Sequence, residues 1–215
     1  MQVSIIIPTY QGEKYLSRAI RSAIDQNYPR DKYEIIVIDD GSTDNTSKIL
    51  NTFKDDIRIF RHTENKGLSA ARNTGLIHAK GRYIINLDSD DYLHEEILTV
   101  GTLFLNLNTD IDAISFDYYI VDKHEKHIKR ISANKQPIAC GIMFRKEQLI
   151  EIGLYDEKFL AREDEDLRKR FLHKYKIYNI PLPLYRYRRH EANLTNNSNE
   201  MEKYLKKLKE KHNLR

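Results

Sequence analysis

An α/β fold, with a mostly parallel central sheet flanked by helices, is predicted by three features of this 215-residue sequence. Short apolar runs alternate with helix-period segments over the first 90 residues, the order expected of right-handed strand–helix–strand units. The run over residues 83–87 is short and mostly apolar, as a strand covered on both faces is. Three of the four runs end in polar signatures: Pro8-Thr9-Tyr10, Asp39-Asp40-Gly41-Ser42 and Asp88-Ser89-Asp90. In a parallel sheet such ends share the edge where ligands bind, although they are distant in sequence.

Residues 3–7 form the first apolar run, closed by Pro8. Leu16, Ala19, Ile20, Ala23 and Ile24 then recur at helical spacing. Residues 35–38 are a second strand pattern, and Ser42 and Thr43 offer helix caps before Ile49, Leu50 and Phe53. Residues 57–60 read as a third strand. Leu68, Ala71, Gly75, Leu76 and Ala79 mark another amphipathic helix, with Gly81 as its stop. Residues 83–87 read as the fourth strand. Beyond Asp91 the pattern is less regular: a helix near 94–106, strands near 112–120, a polar mobile loop over 122–137, helices near 145–152 and 163–173, and a last strand near 177–186. No linker divides the chain, so one domain is expected over residues 1–200, in halves of 1–91 and 92–200. A basic amphipathic tail follows over 201–215.

Composition narrows the function. The chain is long enough to bury a sizeable core, and no apolar stretch approaches the roughly 20 residues of a membrane span. Residues 1–10 enter a strand pattern without a basic start, so no signal peptide is expected. The single cysteine, Cys140, excludes an internal disulfide and suits a reducing compartment, so a cytoplasmic location is expected. The formal charge is +4, and residues 201–215 alone hold six Lys/Arg against two Asp/Glu. The body is therefore neutral, which argues against nucleic acid as a partner.

The acid cluster at Asp88, Asp90 and Asp91 has two readings. Packed carboxylates repel one another unless a cation joins them, and hard divalent metals prefer oxygen ligands; the alternative is a solvated turn. Arg72 falls on the first turns of a helix opened by the Gly-containing turn at Lys66-Gly67, where free N–H groups suit an anion. Its bland reading is a surface arginine. In Glu163-Asp164-Glu165-Asp166, acid-before-base pairs to Arg168, Lys169 and Arg170 fit a solvated helix. Yet Asp164 shares a helical face with Leu167 and Phe171, and an inward carboxylate is costly without a role. His190 follows a Tyr/Arg run, and an imidazole there suits packing or a metal.

Taken together and in this order, several motifs resemble the family-2 glycosyltransferases of GT-A fold over about residues 3–195. They are Ser4-Ile5-Ile6-Ile7-Pro8-Thr9-Tyr10, Ile38-Asp39-Asp40-Gly41-Ser42, Asn65-Lys66-Gly67-Leu68-Ser69-Ala70-Ala71-Arg72-Asn73 and Leu87-Asp88-Ser89-Asp90-Asp91. Gly141-Ile142-Met143-Phe144-Arg145, Gly153-Leu154-Tyr155-Asp156-Glu157, Glu163-Asp164-Glu165-Asp166-Leu167, Tyr185-Arg186 and His190 complete the series. The resemblance implies a nucleotide-diphospho-sugar transferase fold, with residues 1–91 binding the nucleotide sugar and 92–200 forming the acceptor and catalytic half. Pro8, Thr9, Tyr10 and Glu13 would line the nucleotide pocket, Asp39 would bind the base, and Lys66 and Arg72 would contact the nucleotide. Asp88 and Asp90 match the D-x-D motif, with Ser89 between them on the donor. Asp90 and His190 would hold Mn²⁺ or Mg²⁺, and Asp164 falls where inverting members carry the general base. The implied partners are a UDP- or GDP-linked sugar donor and a glycan or lipid-linked acceptor. Gln11 departs from the Asn common after Pro-Thr-Tyr.

Two rivals are weighed. A sugar nucleotidyltransferase should show a Gly-rich loop after the first strand, which Pro8-Thr9-Tyr10-Gln11-Gly12 is not. A receiver-type signalling domain would use Asp39, Asp40, Asp88 and Lys135, but a strand–helix unit precedes Asp39 and the chain runs far beyond 135. In the tail, Met201, Tyr204, Leu205 and Leu208 form one helical stripe surrounded by lysines. It reads either as a helix docked on the body or as an anchor on an anionic membrane surface, which would put the enzyme at the inner face of the membrane.

Overall fold

A computed structural model of the chain describes residues 1–191, 193 and 196–213. Its first half is β1 (Val3–Thr9), α1 (Leu16–Ile24), β2 (Tyr33–Asp39), α2 (Thr46–Thr52), β3 (Arg58–Arg61), α3 (Leu68–His78) and β4 (Tyr83–Asn86). These strands pair in parallel in the order β3-β2-β1-β4. Every residue of β1, β2 and β4 is buried, as their largely apolar sequences lead one to expect. Alternate residues go to opposite faces. Ile5, Ile7, Ile35 and Val37 pack with Leu16 and Ile20 of α1, while Ile6, Ile36 and Ile38 pack with Ala71 and Leu76 of α3.

The second half comprises β5 (Tyr92–Leu93), α4 (Ile97–Leu107), β6 (Ala113–Val121), β7 (His127–Ile131), β8 (Ile142–Arg145), α5 (Lys146–Glu151), α6 (Glu163–Leu172), β9 (Ile177–Arg188) and α7 (Ser198–Lys211). The sheet continues from β4 through β8, β6 and β9 to β5, and β7 pairs with β6. β8 is antiparallel to both β4 and β6, whereas β6 and β9 run parallel. α4 covers the α1 face; α5 and α6 cover the α3 face through Leu149, Leu167 and Phe171.

The mobile loop expected over 122–137 is instead largely a hairpin. Asp122 turns the chain by accepting from the backbone N–H groups of His124 (2.8 Å) and Lys126 (3.0 Å). β7 then pairs with β6. Four of its five residues are exposed, so it carries no burial pattern for sequence to reveal.

The tail forms α7 and docks on the body. Tyr204 and Leu208 are buried against Phe159 and Ala161, with Met201 alongside. Lys211 Nζ reaches Asp156 (2.8 Å) and Asp166 (2.7 Å), and His212 Nε2 lies 2.9 Å from Asp166. Burial pushes the Asp166 carboxyl up, but bonds from Lys211, His212 and Arg170 hold it below the usual carboxylate range. The apolar stripe is thus turned inward, leaving Lys203, Lys206 and Lys209 exposed. Leu214 and Arg215 of the tail lie outside the described residues. No helix among the described residues is long and apolar enough to cross a membrane.

Candidate active site

The carboxyl ends of β1, β2 and β4 open on one cleft of about 1560 Å³. Its walls include Pro8, Thr9 and Tyr10 at the end of β1, Asp40 after β2, and Asp88, Ser89 and Asp90 after β4. Arg72 of α3 reaches it from one helix layer and Asp164 of α6 faces it from the second half of the chain; His190 lines it from beyond β9. Nine of the residues expected from sequence therefore converge there: Pro8, Thr9, Tyr10, Arg72, Asp88, Ser89, Asp90, Asp164 and His190.

Glu13, Asp39 and Lys66 are not among the lining residues. Glu13 is exposed and accepts from Asn45 Nδ2 at 2.9 Å. Asp39 is fully buried, accepting from Ser42 N (2.9 Å) and Arg61 Nε (2.9 Å). Its neighbour Asp40 takes the place at the wall. Asp40 accepts from the backbone N–H groups of Lys66 (2.9 Å) and Gly67 (2.8 Å), which shapes the turn into α3. Lys66 contributes this backbone contact while its side chain is exposed. Gly41 has φ +77°, and a Cβ there would stand 2.6–2.9 Å from the backbone of Glu64 and Asn65, so only glycine lets these two turns meet.

Arg72 is no surface arginine. It is fully buried, donating to Asp88 Oδ1 at 2.8 Å and to Glu163 Oε1, with the Tyr155 ring 5.3 Å from its guanidinium carbon. Its Nε and the Thr9 hydroxyl are buried without a hydrogen-bond partner among the described residues. Asp90 Oδ2 lies 2.8 Å from His190 Nε2 and accepts from Asn193 Nδ2 at 3.2 Å. Burial and the nearby Asp88 push the Asp90 carboxyl up, against the pull of His190. Asp91 is buried behind them, accepting from the Tyr185 hydroxyl and from Arg188 N, each at 2.7 Å. No group of three or more His, Cys, Asp and Glu side chains among the described residues is arranged to hold a metal ion.

The acid run 163–166 is sorted by its partners. Glu163 is taken by Arg72; Asp166 by Arg170 and α7; Glu165 by Arg162. Asp164 is partly buried and has no ion pair among the described residues. Burial, then the neighbouring Glu163, push its carboxyl up to about 7, outweighing Arg72 and Arg168. Of the three acid-before-base pairs expected on this helix, the Asp166–Arg170 pair forms, at 2.9 Å. Arg162, just before α6, adopts a left-handed turn (φ 58°) and donates to the Met201 carbonyl at 2.8 Å, so α7 braces the start of the helix that carries Asp164.

Residues 4–171 match the model of the family described as glycosyl transferase family 2. The chain belongs to glycosyl transferase family 2. An uncharacterized glycosyltransferase of Rickettsia typhi is 32% identical over 221 residues, which is 94% of this chain and 69% of that protein. Among solved structures, Staphylococcus aureus TarS 1–349 in complex with UDP-GlcNAc superposes with a TM-score of 0.79 at 22% identity, covering 92% of this chain and 61% of that one. A mannosyltransferase of Pyrobaculum calidifontis, in complex with GDP-Man and Mn²⁺, gives 0.78 at 20% identity, covering 98% and 64%. The chain thus spans under two thirds of either solved chain. The fold is GT-A, as its motifs led one to expect.

Glu163, Asp91, Tyr185 and Arg188 are site-building residues of this glycosyltransferase that sequence reasoning left unassigned. Each lay within a quoted motif or beside one, but its role depends on a partner 91 to 97 residues away.

Proposed function

We propose that this family-2 glycosyltransferase moves a hexose or related sugar from a UDP- or GDP-linked donor to a hydroxyl of a glycan or lipid-linked acceptor, with inversion. The setting proposed is synthesis of cell-surface polysaccharide or glycoconjugate. One observation carries the reading: a single cleft brings Asp88 and Asp90 together with Asp164, the unpaired carboxylate of its run.

The chemistry follows from these groups. Displacing a nucleoside diphosphate from the anomeric carbon needs an acceptor hydroxyl that loses its proton as it attacks. A carboxylate whose pKa lies near the working pH is suited to take it, and such a base contributes about 10²–10⁴-fold. Attack from the face opposite the leaving group inverts the anomeric centre. The unpartnered Arg72 Nε and Thr9 hydroxyl stand ready as polar contacts for the donor.

Asp90 and His190 fit a divalent metal. One carboxylate and one imidazole, already 2.8 Å apart, are too few for a protein cage but suit an ion that completes its shell with substrate phosphate and water. Such an ion, Mn²⁺ or Mg²⁺, would supply Lewis-acid stabilisation of the departing diphosphate. The partners in the neighbouring structures, UDP-GlcNAc in one and GDP-Man with Mn²⁺ in the other, support a nucleotide-sugar donor.

Calorimetry with UDP and with GDP, with and without Mn²⁺, tests this. At least one nucleotide should bind more tightly with Mn²⁺, and Asp90→Ala should remove most of that gain. Undiminished gain in the variant would place the metal elsewhere. Pyrophosphate release from a nucleoside triphosphate would favour the nucleotidyltransferase reading instead.

A further inference from the structure

We infer that Arg188 is a positioning residue that locks Asp90, His190 with Asn193, and the 122–126 turn into one wall of the cleft. The inference rests on the proposed role of Asp90 and His190. Arg188 ends β9, is 2% exposed and does not line the cleft itself. Its Nε donates to the Asp90 carbonyl at 2.8 Å, and its backbone N–H donates to Asp91 Oδ1 at 2.7 Å. Its terminal nitrogens reach Glu125 (3.1 Å) and the carbonyls of Asp122 and Lys123 (3.4 Å each).

The guanidinium also lies 4.8 Å from the Tyr15 ring and 5.5 Å from the Tyr92 ring, and Tyr15 packs at 4.9 Å against His190. On the other side, Asn193 Nδ2 donates both to the Arg188 carbonyl (3.1 Å) and to Asp90 Oδ2 (3.2 Å). So Asp90 is gripped at its backbone by the Arg188 side chain and at its carboxylate by a group that Arg188 orients.

Burying a guanidinium is costly unless its hydrogen bonds are met, and this one meets them on two separate chain segments, at Asp90 and at the 122–126 turn. A planar fork with fixed donor directions can hold both segments at set angles; a lysine point charge cannot. Glu125 is the counter-charge, shared with Arg18 at 3.1 Å. The turn it anchors presents Lys123 and His124 to the cleft.

The test measures UDP and GDP affinity calorimetrically over a Mn²⁺ titration, with Mn²⁺-free affinity and melting temperature recorded alongside. Outer-shell partners of metal ligands typically change metal affinity 10–100-fold. Arg188→Lys should weaken the Mn²⁺-dependent part of binding about 10-fold or more and leave the Mn²⁺-free part unchanged. Glu125→Gln, on the exposed turn, should weaken the same part about 3-fold, and the double variant should be no weaker than Arg188→Lys alone. Wild-type Mn²⁺ dependence in both single variants overturns the inference, as does a double variant whose losses simply add. Should Arg188→Lys fail to fold, Glu125→Gln decides by itself: unchanged Mn²⁺ dependence overturns the inference. If the wild-type protein shows no Mn²⁺ effect with either nucleotide, the proposed metal role fails first and takes this inference with it.

Discussion

Arg72 and Glu163 form an ion pair that water barely reaches, their side chains 0% and 5% exposed. It ties α3 to the start of α6, and through the second Arg72 bond to Asp88 it ties both to the acidic loop. Removing one partner of a buried pair strands the other charge, at a cost of about 3–5 kcal/mol. Arg72 keeps its bond to Asp88, so Glu163→Ala should lower the urea midpoint by the equivalent of the lower end of that range, with an unchanged slope. Glu163→Gln, which keeps a hydrogen-bond acceptor, should cost less. A Glu163→Ala protein within about 1 kcal/mol of wild type, below the cost of a stranded charge, would show the pair to be dispensable.

Asp164 titrates near 7 because burial and Glu163 resist its charge. Only the ionised form accepts a proton, so kcat/KM should fall about tenfold per pH unit below 7. Asp164→Asn should reduce kcat by at least about 10²-fold while donor affinity holds. The stability sign runs the other way. A folded pKa above the unfolded one adds stability at pH below about 4, and that stability is lost as pH rises through 7. Relative to wild type, Asp164→Asn should thus gain stability between pH 4 and pH 8 in thermal melts. A constant difference across that range would contradict the raised pKa.

Leu208 anchors α7 against Phe159 and Ala161. Leu208→Ala should cost about 2–5 kcal/mol in denaturant unfolding, as buried leucine truncations do. Lys203→Ala and Lys206→Ala remove exposed pairs at 3.5 and 3.6 Å and should stay within about 0.5 kcal/mol of wild type. If Leu208→Ala proves neutral in the same assay, α7 is not part of the folded body.

β1, β2 and β4 were legible because parallel strands buried on both faces are largely apolar, and theirs are, while β3 shows only a short apolar pair between arginines. β5, with two residues, and β8, with four, are too short to show a period, and β8 runs directly into α5. β7 is held by backbone pairing rather than burial, so His127–Ile131 looks like loop. In the site, Asp88 and Asp90 were legible as a motif at a strand end. The choice of Asp164 over Glu163 and Asp166 was suggested by the helical face, and the partners of the other two on α3 and α7 support it as a proposal. Asp39 against Asp40 turns on which carboxylate Arg61 and Ser42 occupy, which no local pattern reveals.

The grip on Asp91 has a consequence for how the chain comes to be folded. Its two partners, Tyr185 and Arg188, are 94 and 97 residues further along. During synthesis the strands β1 to β4 emerge before either partner exists, so the Asp91 carboxylate at first has neither. The acidic loop acquires its final shape only once β9 has been added. The cleft is therefore completed late, although most of its lining residues precede β9 in the chain.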